Sequence, residues 1–585
     1  MAVFRPLNGA PMKTLLAAFA ACGVAALASA ATAQTPAPPS LDEALARIAA
    51  YAPQALAEQG APGMSVTITD RTHTLKILAL GYANVDAKLP VTADTRFPIG
   101  SITKSMTATA LLELRDAGRL DPNATVQHYL PWFSIDAGGK PILVHQILSH
   151  TAGLPDDFAQ EIGNGYNIAS LRNARVIFAP GTSWSYSNDG YATAGAILSA
   201  LDGKPWPQAV TQRVFTPIGM SRTSAVFTAA VMADDTAIGY QFRDMDRPPP
   251  PAPALLATPY MDFVDSAGSV IAPPEDMARY MRFILNGGVA DGKRVLSETS
   301  FKLLTTPDTN GSRVAGAKEP ELAEAPEMYR KYAFGLSVET NGSGDHIVGH
   351  TGGIEGYTAC MKMNLTRGFG VIAQSNLIEA PLHPCAIVRF AMEVLAAQAL
   401  GKPLPPVPSP KDPLRVAAAP DFAGTFAGPN GTLKITADGT RLTLHAPSGD
   451  YPLYPRGGDS FWTADPRFTF FTLDFSRDKG NAVVEVHAGP EWFHNGRYRG
   501  AVTFAYPHAW DAYAGRYENE YAGSPYVSRV YVLKGKLTVD GAPLTVSSNG
   551  TFRMGTSIVK FGMLTAGRPQ ELSIDDSHLY RIDLP

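Results

Sequence analysis

A proline-rich stretch divides the sequence into two parts of different character. Lys402 to Pro413 carries six prolines among twelve residues, and proline is excluded from helix interiors and from central strands. We therefore predict a stiff linker over residues 402–419. A chain of 585 residues is also too long for one ordinary domain. We expect separately organised regions on the two sides of this linker.

The region after the linker has the pattern of antiparallel β-structure. Residues 420–585 contain short alternating runs separated by Gly, Asp and Asn turns. Within this region, Phe422 to Phe426 is echoed by Tyr513 to Tyr517, at an offset of 91 residues. We predict two small antiparallel β-barrels in tandem, over residues 420–505 and 506–585.

The region before the linker, residues 34–401, has strand-like runs at both ends of a helical middle. It opens with an amphipathic helical pattern over Ser40 to Leu56 and closes with a helical pattern over Pro384 to Leu400. This order predicts an α/β (α+β) domain in which both chain ends meet in one sheet. The strand-like runs are Gly63 to Thr69, Leu75 to Ala83, Tyr332 to Glu339, His346 to His350, Tyr357 to Asn364 and Gly368 to Gln374.

The first 33 residues have the pattern of a secretory signal peptide. Lys13 precedes an apolar run from Leu15 to Ala28, and small residues follow. The run is shorter than the ~20 residues that a membrane span requires. We predict export to the periplasm or the medium, without a transmembrane segment. A lipid anchor on Cys22 is an alternative.

The charge composition of the chain bears on whether it binds nucleic acid. The chain has 49 Lys and Arg against 53 Asp and Glu, a net charge of −4, with no basic block. These values argue against nucleic-acid binding. Cys360 and Cys385 remain after the signal, and whether they pair stays open. Neither lies in a pattern typical of a zinc site, and we predict no metal and no cofactor. The sequence leaves the oligomeric state open.

A serine and a lysine three residues apart are the first candidate for catalysis. Ser101 and Lys104 lie at the start of a helical pattern that runs to Leu114, directly after Gly100. This spacing places a hydroxyl and an amine on one helix face, which is the arrangement of a nucleophile with a neighbouring base. The motif alone is weak, since a capped helix with a solvated lysine also explains it.

Two further motifs follow in the chain. Tyr186-Ser187-Asn188 lies 85 residues after Ser101, in a Gly/Ser-rich stretch that predicts a surface loop. His350-Thr351-Gly352-Gly353 ends a strand-like run 249 residues after Ser101. Its glycines allow a substrate to pair closely with the strand edge.

With these three motifs in order, residues 40–400 resemble the serine β-lactamase and penicillin-recognising enzyme superfamily. The similarity is greatest to the branch of class C β-lactamases, DD-carboxypeptidases and D-aminopeptidases, and Leu148 to Pro155 is also typical of that branch. The resemblance implies a β-lactamase-like serine hydrolase domain over residues 34–401. The tandem barrels resemble the lipocalin-like barrels of bacterial D-aminopeptidases, where they either wall the cleft or simply pack against the catalytic domain.

The resemblance also implies roles for individual residues. Ser101 would be the acylated nucleophile, and backbone N–H groups of Ser101 and Gly353 would hold the oxyanion. An ammonium near a phenol favours the phenolate, so that lysine and tyrosine together would move the serine proton. The implied catalytic residues are Ser101, Lys104 and Tyr186, and the implied substrate-binding residues are Asn188, which would bond to the lysine or to the substrate amide, His350 and Gly353.

His350 departs from the β-lactamase pattern, in which lysine usually occupies this position. A histidine is neutral for much of the time near pH 7, which weakens the attraction for a substrate carboxylate. We expect affinity for an anionic substrate to fall as pH rises through the imidazole pKa. The sequence thus favours cleavage of a small peptide or amide, with a carboxylesterase or a β-lactamase as alternatives. A non-catalytic penicillin- or peptide-binding protein is a second alternative. We interpret His150 as a structural residue at a helix end.

Overall fold

The computed structural model describes most of the chain from residue 37 onward. The described ranges are 37–155, 164–226, 235–244, 246–258, 266–307, 331–378, 384–410, 412–521, 524–547, 551–555, 557–574 and 577–583. Residues from Pro39 onward belong to one unit. The predicted signal peptide, residues 1–33, lies outside the described ranges.

Helices surround the sheet of the first region and are rare after it. The Ser40 hydroxyl caps the first helix by accepting from the Glu43 N–H, and the Ser40 N–H donates to the Glu43 carboxylate. The helices are α1 (Leu41–Gln59), α2 (Thr103–Asp116), α3 (Val126–Tyr129), α4 (Val144–Leu148), α5 (Asn164–Ser170), α6 (Asn188–Asp202), α7 (Trp206–Val210), α8 (Thr216–Ile218), α9 (Pro274–Leu285), α10 (Glu298–Thr305), α11 (Cys385–Ala399) and α12 (Ala419–Phe422).

The strands of the first region include one large sheet and three short pairs. They are β1 (Gly63–Asp70), β2 (Thr74–Asn84), β3 (Leu89–Pro90), β4 (Phe97–Pro98), β5 (Tyr240–Phe242), β6 (Leu255–Ala257), β7 (Ile271–Ala272), β8 (Val289–Ala290), β9 (Lys293–Arg294), β10 (Ser337–Thr340), β11 (His346–Ile354), β12 (Tyr357–Asn364) and β13 (Phe369–Ser375). The short pairs are β4 with β7, β5 with β6 and β8 with β9.

The seven-stranded antiparallel sheet joins the two ends of this region. Its strand order is β10-β11-β12-β13-β1-β2-β3, and Met64 on β1 pairs with Ser375 on β13. Helices α1 and α11 cover one face, while α2 and α9 pack on the other. The prediction that both ends meet in one sheet is confirmed.

Cys360 and Cys385 form a disulfide. Cys360 lies in the middle of β12, and Cys385 is the first residue of α11. The bond closes a sequence separation of 25 residues. It attaches the last helix of the region to the sheet. The sequence left open whether these two cysteines pair, and the structure shows that they do.

The second region forms two nearly closed nine-stranded antiparallel barrels, as predicted. The first has the order β17-β16-β15-β14-β22-β21-β20-β19-β18, and the second repeats it nine strands later. The first residues of β14 and β23, Gly424 and Gly515, are 91 residues apart, the offset of the sequence echo. The strands are β14 (Gly424–Gly428), β15 (Gly431–Asp438), β16 (Arg441–Ala446), β17 (Gly449–Pro452), β18 (Tyr454–Gly457), β19 (Ser460–Trp462), β20 (Leu473–Arg477), β21 (Val483–Ala488), β22 (Glu491–His494), β23 (Gly515–Tyr521), β24 (Ser524–Leu533), β25 (Lys536–Val539), β26 (Ala542–Pro543), β27 (Thr545–Val546), β28 (Phe552–Met554), β29 (Ser557–Thr565), β30 (Arg568–Ile574) and β31 (Ser577–Arg581).

Both barrels contact a proline-rich loop of the first region, residues 246–251. From the first barrel, the Trp462 indole N–H donates to the Pro248 carbonyl at 3.1 Å. From the second barrel, the Arg516 guanidinium donates to the Asp246 carboxylate at 2.8 Å. Phe470 lies 4.9 Å from the Arg516 guanidinium, measured to the ring centroid. One loop therefore connects the first region to each barrel.

Two predicted strands differ in the structure, and the predicted linker contacts α1. The strand expected over Tyr332 to Glu339 begins only at Ser337. Strand β11 continues through the His350 motif to Ile354, because β12 pairs along its whole length. The proline-rich linker is also packed, since the Arg47 guanidinium donates to the Pro405 carbonyl at 2.9 Å.

The described ranges contain neither a membrane-spanning helix nor a cluster of metal-binding side chains. No helix in them combines the length and the apolar character of a membrane span. Likewise, the described side chains form no cluster of three or more His, Cys, Asp or Glu that could hold a metal ion.

Candidate active site

Ser101 lies in a tight turn that touches strand β11 through backbone atoms. The turn is a short 3₁₀ helix, Gly100–Ile102, directly before α2. Gly100 has φ of +51°, and a Cβ there would lie 2.7 Å from the Gly353 nitrogen. A Cβ at Gly352 would lie 1.9 Å from the Ile99 carbonyl oxygen. Glycine at these positions permits the approach that brings the Ser101 backbone beside Gly353.

Lys104 is fully buried in the first turn of α2, three residues after Ser101, and oxygen atoms surround its amine. The Lys104 Nζ lies 3.1 Å from the Ser101 Oγ, 2.6 Å from the Asn188 Oδ1 and 3.0 Å from the Ala267 carbonyl oxygen. An ammonium has three N–H donors, and each finds an oxygen. Because a buried charge requires such partners, the geometry stabilises a charged lysine beside the serine hydroxyl.

Asn188 reaches the lysine from the start of a helix. The sequence predicted a loop for the whole tyrosine motif, but α6 begins at Asn188. Ser187 is the N-cap, and its hydroxyl accepts from the Gly190 N–H at 3.0 Å. The cap fixes the direction of the Asn188 side chain. This was a missed start signal, since serine before a small-residue run is a common N-cap.

Tyr186 lies at the same place, immediately before that cap. The Lys104 Nζ is 4.7 Å from the centroid of the tyrosine ring, and the side chain is half-buried. Its ring centroid is 4.4 Å from that of His150. The structure thus brings Ser101, Lys104, Tyr186 and Asn188 together, as the motif order predicted.

His350 is close to the site, but its side chain is buried and engaged within the protein. The side chain is 6% exposed. Its Nδ1 contacts the Thr351 carbonyl, which can only accept, so Nδ1 carries the proton. Its Nε2 therefore accepts from the Tyr332 hydroxyl at 2.7 Å. Burial, the largest cause, lowers the pKa of His350 to about 4, and the charge of Lys104 acts in the same direction. The imidazole is neutral at pH 7, and the titration expected near neutral pH does not occur there.

Two groups of the site were missed from sequence. The Ala267 carbonyl is a backbone acceptor, and the residue type gives no signal of its role. Tyr332 binds His350 from a segment that sequence assigned to a strand. Gly353, by contrast, lies where predicted and is exposed beside the turn of Ser101.

Comparison with known proteins shows a matching family and several relatives of similar sequence or fold. The family model described as Beta-lactamase matches residues 48–382. Penicillin-binding protein 4 of Amycolatopsis lactamdurans is 33% identical over 235 residues, which are 39% of this chain and 61% of that protein. Protein flp of Staphylococcus aureus (strain N315) is 25% identical over 326 residues, which are 54% of this chain and 60% of that protein.

The chain thus spans about 60% of the length of these curated relatives. Among solved structures, an octameric penicillin-binding protein homologue from Pyrococcus abyssi has a TM-score of 0.54 at 22% identity. That match covers 77% of this chain and 100% of the homologue. It supports the fold alone.

Proposed function

We propose a function for this chain, which belongs to the Beta-lactamase family. It is an exported serine hydrolase that cleaves a small peptide or amide through an acyl-enzyme on Ser101. The observation that carries the proposal is the position of the buried Lys104 Nζ, 3.1 Å from the Ser101 Oγ. A nucleophile within hydrogen-bond reach of a proton-transfer group is the arrangement that covalent catalysis requires.

In the acylation step, the Ser101 Oγ attacks the substrate carbonyl carbon and loses its proton. Tyr186, as phenolate beside the Lys104 ammonium, accepts that proton and gives it to the leaving amine as the amide bond breaks. A water molecule then attacks the ester carbonyl on Ser101, passes a proton back through the same pair and releases the acid. Asn188 holds the Lys104 amine through its Oδ1 at 2.6 Å.

The oxyanion would be held by backbone rather than by side chains. The N–H groups of Ser101 and Gly353 are the proposed donors, and the contact between Gly100 and Gly353 supports their proximity. Donors fixed in this way are preorganised for the tetrahedral intermediate and need no movement during reaction.

The state of His350 favours peptides, amides or esters over β-lactams. Enzymes of the β-lactamase branch usually carry a lysine here, which attracts the carboxylate of the drug. This chain carries instead a buried neutral imidazole with both nitrogens engaged. We therefore rank amide cleavage first, ester hydrolysis second and β-lactam hydrolysis third.

Export is part of the proposal and rests on two observations. Residues 1–33 have the signal-peptide pattern, and Cys360 forms a disulfide with Cys385. Disulfides persist mainly in oxidising compartments such as the periplasm and the medium. We assign the chemistry to residues 34–401, followed by a linker over 402–419 and barrels over 420–505 and 506–585.

The proposal is tested with a fluorophosphonate probe and a panel of substrates. The panel contains a chromogenic ester, D-amino-acid amides, short peptides and nitrocefin. Ser101→Ala should abolish turnover and labelling, while Lys104→Met and Tyr186→Phe should each lower kcat by about 10²- to 10⁴-fold. Ser199→Ala is the matched control, because that hydroxyl donates to the Gly195 carbonyl within α6.

Two results would contradict the proposal. Labelling of another residue, or an active Ser101→Ala protein, would show that the nucleophile is misassigned. A stable adduct on Ser101 without turnover of any substrate would favour the alternative, a penicillin- or peptide-binding protein.

A further inference from the structure

His150 holds the segment of Tyr186 on both sides. The N–H of Ser185 donates to the His150 carbonyl oxygen at 3.0 Å. The N–H of Ser187 donates to the His150 Nδ1 at 3.1 Å. Tyr186 is the residue between these two donors, so one residue fixes the backbone before and after the candidate base.

The imidazole also packs against the tyrosine ring itself. The two ring centroids are 4.4 Å apart at an angle of 36°. His150 is 2% exposed, and Tyr191, Tyr332 and Trp184 pack around it at centroid distances of 5.2, 4.8 and 5.8 Å. The position of the phenol is therefore coupled to that of the imidazole by ring contact as well as by backbone bonds.

The protonation state of His150 fits the acceptor role. Burial, and after it the positive charge of Lys104, hold the pKa of His150 well below its usual value, so the ring is neutral. A neutral imidazole has one donor and one acceptor. Because Nδ1 accepts from Ser187, the proton is on Nε2. The His150 Nδ1 therefore presents its lone pair to the Ser187 N–H at neutral pH.

Two unfavourable features, a left-handed backbone and an unsatisfied buried nitrogen, indicate that packing alone does not explain a histidine at position 150. His150 has φ of +60°, a left-handed conformation that is uncommon outside glycine, although histidine adopts it more often than most residues. Its Nε2 is buried and has no acceptor among the described residues. Strained or unsatisfied groups that persist in a fold are concentrated at functional sites.

A role in closing α4 does not explain the side chain either. The end of that helix is already closed by the Thr151 N–H, which donates to the Gln146 carbonyl at 2.8 Å. Glycine or asparagine would adopt the same backbone conformation with less strain. The imidazole is therefore available for another task.

We propose that His150 is a positioning residue, which holds the Tyr186 phenol in register with Lys104 and Ser101. This inference rests on the proposed function, since it concerns the proton transfer of that site. It goes beyond the three motifs, because His150 touches neither the serine nor the lysine in the described contacts. A displaced phenol would slow proton transfer without altering the groups that hold the substrate.

The test is a double-mutant cycle between His150→Ala and Tyr186→Phe. Alone, His150→Ala should lower kcat for the chromogenic ester by about 10- to 100-fold, as expected for a base displaced by part of an ångström, with KM little changed. In the Tyr186→Phe background it should have almost no further effect, because the group that it positions is already gone. The rate of fluorophosphonate labelling at Ser101 should follow the same pattern.

Two further variants separate positioning from stability. His150→Asn retains an acceptor near Nδ1 and tolerates the left-handed backbone, so it should recover part of kcat. His346→Ala is the matched control, since it removes an imidazole and its bond to the Thr305 carbonyl at the other end of β11. It should lower Tm but leave kcat unchanged.

The outcomes distinguish this inference from the proposed function. A wild-type protein whose Ser101 neither reacts nor supports turnover overturns both. A reactive wild-type protein overturns this inference alone if the effects in the cycle are additive, if His150→Ala keeps its kcat, or if His150→Asn recovers nothing.

Discussion

Replacing Gly352 by alanine tests the backbone contact that positions the nucleophile. The added Cβ would lie 1.9 Å from the Ile99 carbonyl oxygen and 2.8 Å from its carbon. Ordinary van der Waals contact begins at 3.4 Å, so the Cβ and the Ile99 carbonyl oxygen must move apart by about 1.5 Å. Because both clashing atoms belong to the backbone of Ile99, no side-chain rotation relieves the clash. Strand β11 must therefore move away from the turn.

That movement would separate the two proposed oxyanion donors. A misplacement of about 1 Å at a catalytic group can cost about 100-fold in rate. We expect Gly352→Ala to lower kcat/KM for the chromogenic ester by at least about that factor. Overpacking typically costs about 1–3 kcal/mol, so the free energy of unfolding should fall by a similar amount while the protein stays folded.

Steady-state kinetics and urea unfolding of Gly352→Ala measure these two effects, with Gly342→Ala as the matched control. Gly342 is exposed, and a Cβ there meets no atom within 4 Å. The control should behave like wild type in both assays. A Gly352→Ala protein with the kcat/KM of wild type would refute the reasoning, because the contact would then have no part in placing Ser101 against Gly353.

Three further predictions follow from other parts of the molecule. Cys360→Ser with Cys385→Ser opens a loop of 25 residues, and urea unfolding should show a loss of about 3 kcal/mol. His350 has a pKa of about 4 in the folded state, below the usual 6.5, so the unfolded chain binds the proton first as pH falls. The free energy of unfolding should fall by about 3 kcal/mol from pH 6.5 to pH 4, and less in His350→Gln. A chain truncated after Gly401 should still hydrolyse a small ester; loss of ester turnover in a folded truncated chain would place a barrel loop in the active site.

The features that sequence predicted correctly are those with short-range causes. Ser101 and Lys104 meet because a helix places residues three apart on one face. The barrels are recognisable because alternation and turn residues repeat locally, and the echo at Phe422 and Tyr513 marks the second copy. None of these inferences requires knowledge of distant contacts.

The features that sequence missed depend on the assembled fold. The neutral state of His350 follows from burial and from the charge of Lys104, neither of which its own neighbours in the chain reveal. The strand expected from Tyr332 fails because its first residues do not pair with β11, although their composition is suitable. The interaction of His150 with Tyr186 joins segments that are distant in sequence, and only the structure places them together.

The environment of Lys104 makes activity a late event in folding. Its oxygen partners Asn188 and Ala267 lie 84 and 163 residues further along the chain, and contacts of such separation form slowly because long loops must close first. Before they form, the amine is solvated and no longer aligned with the Ser101 hydroxyl. A nascent or partly folded chain therefore lacks the aligned pair of Ser101 and Lys104. Under the proposed function, hydrolysis would begin only after the segments of Asn188 and Ala267 have folded around this lysine.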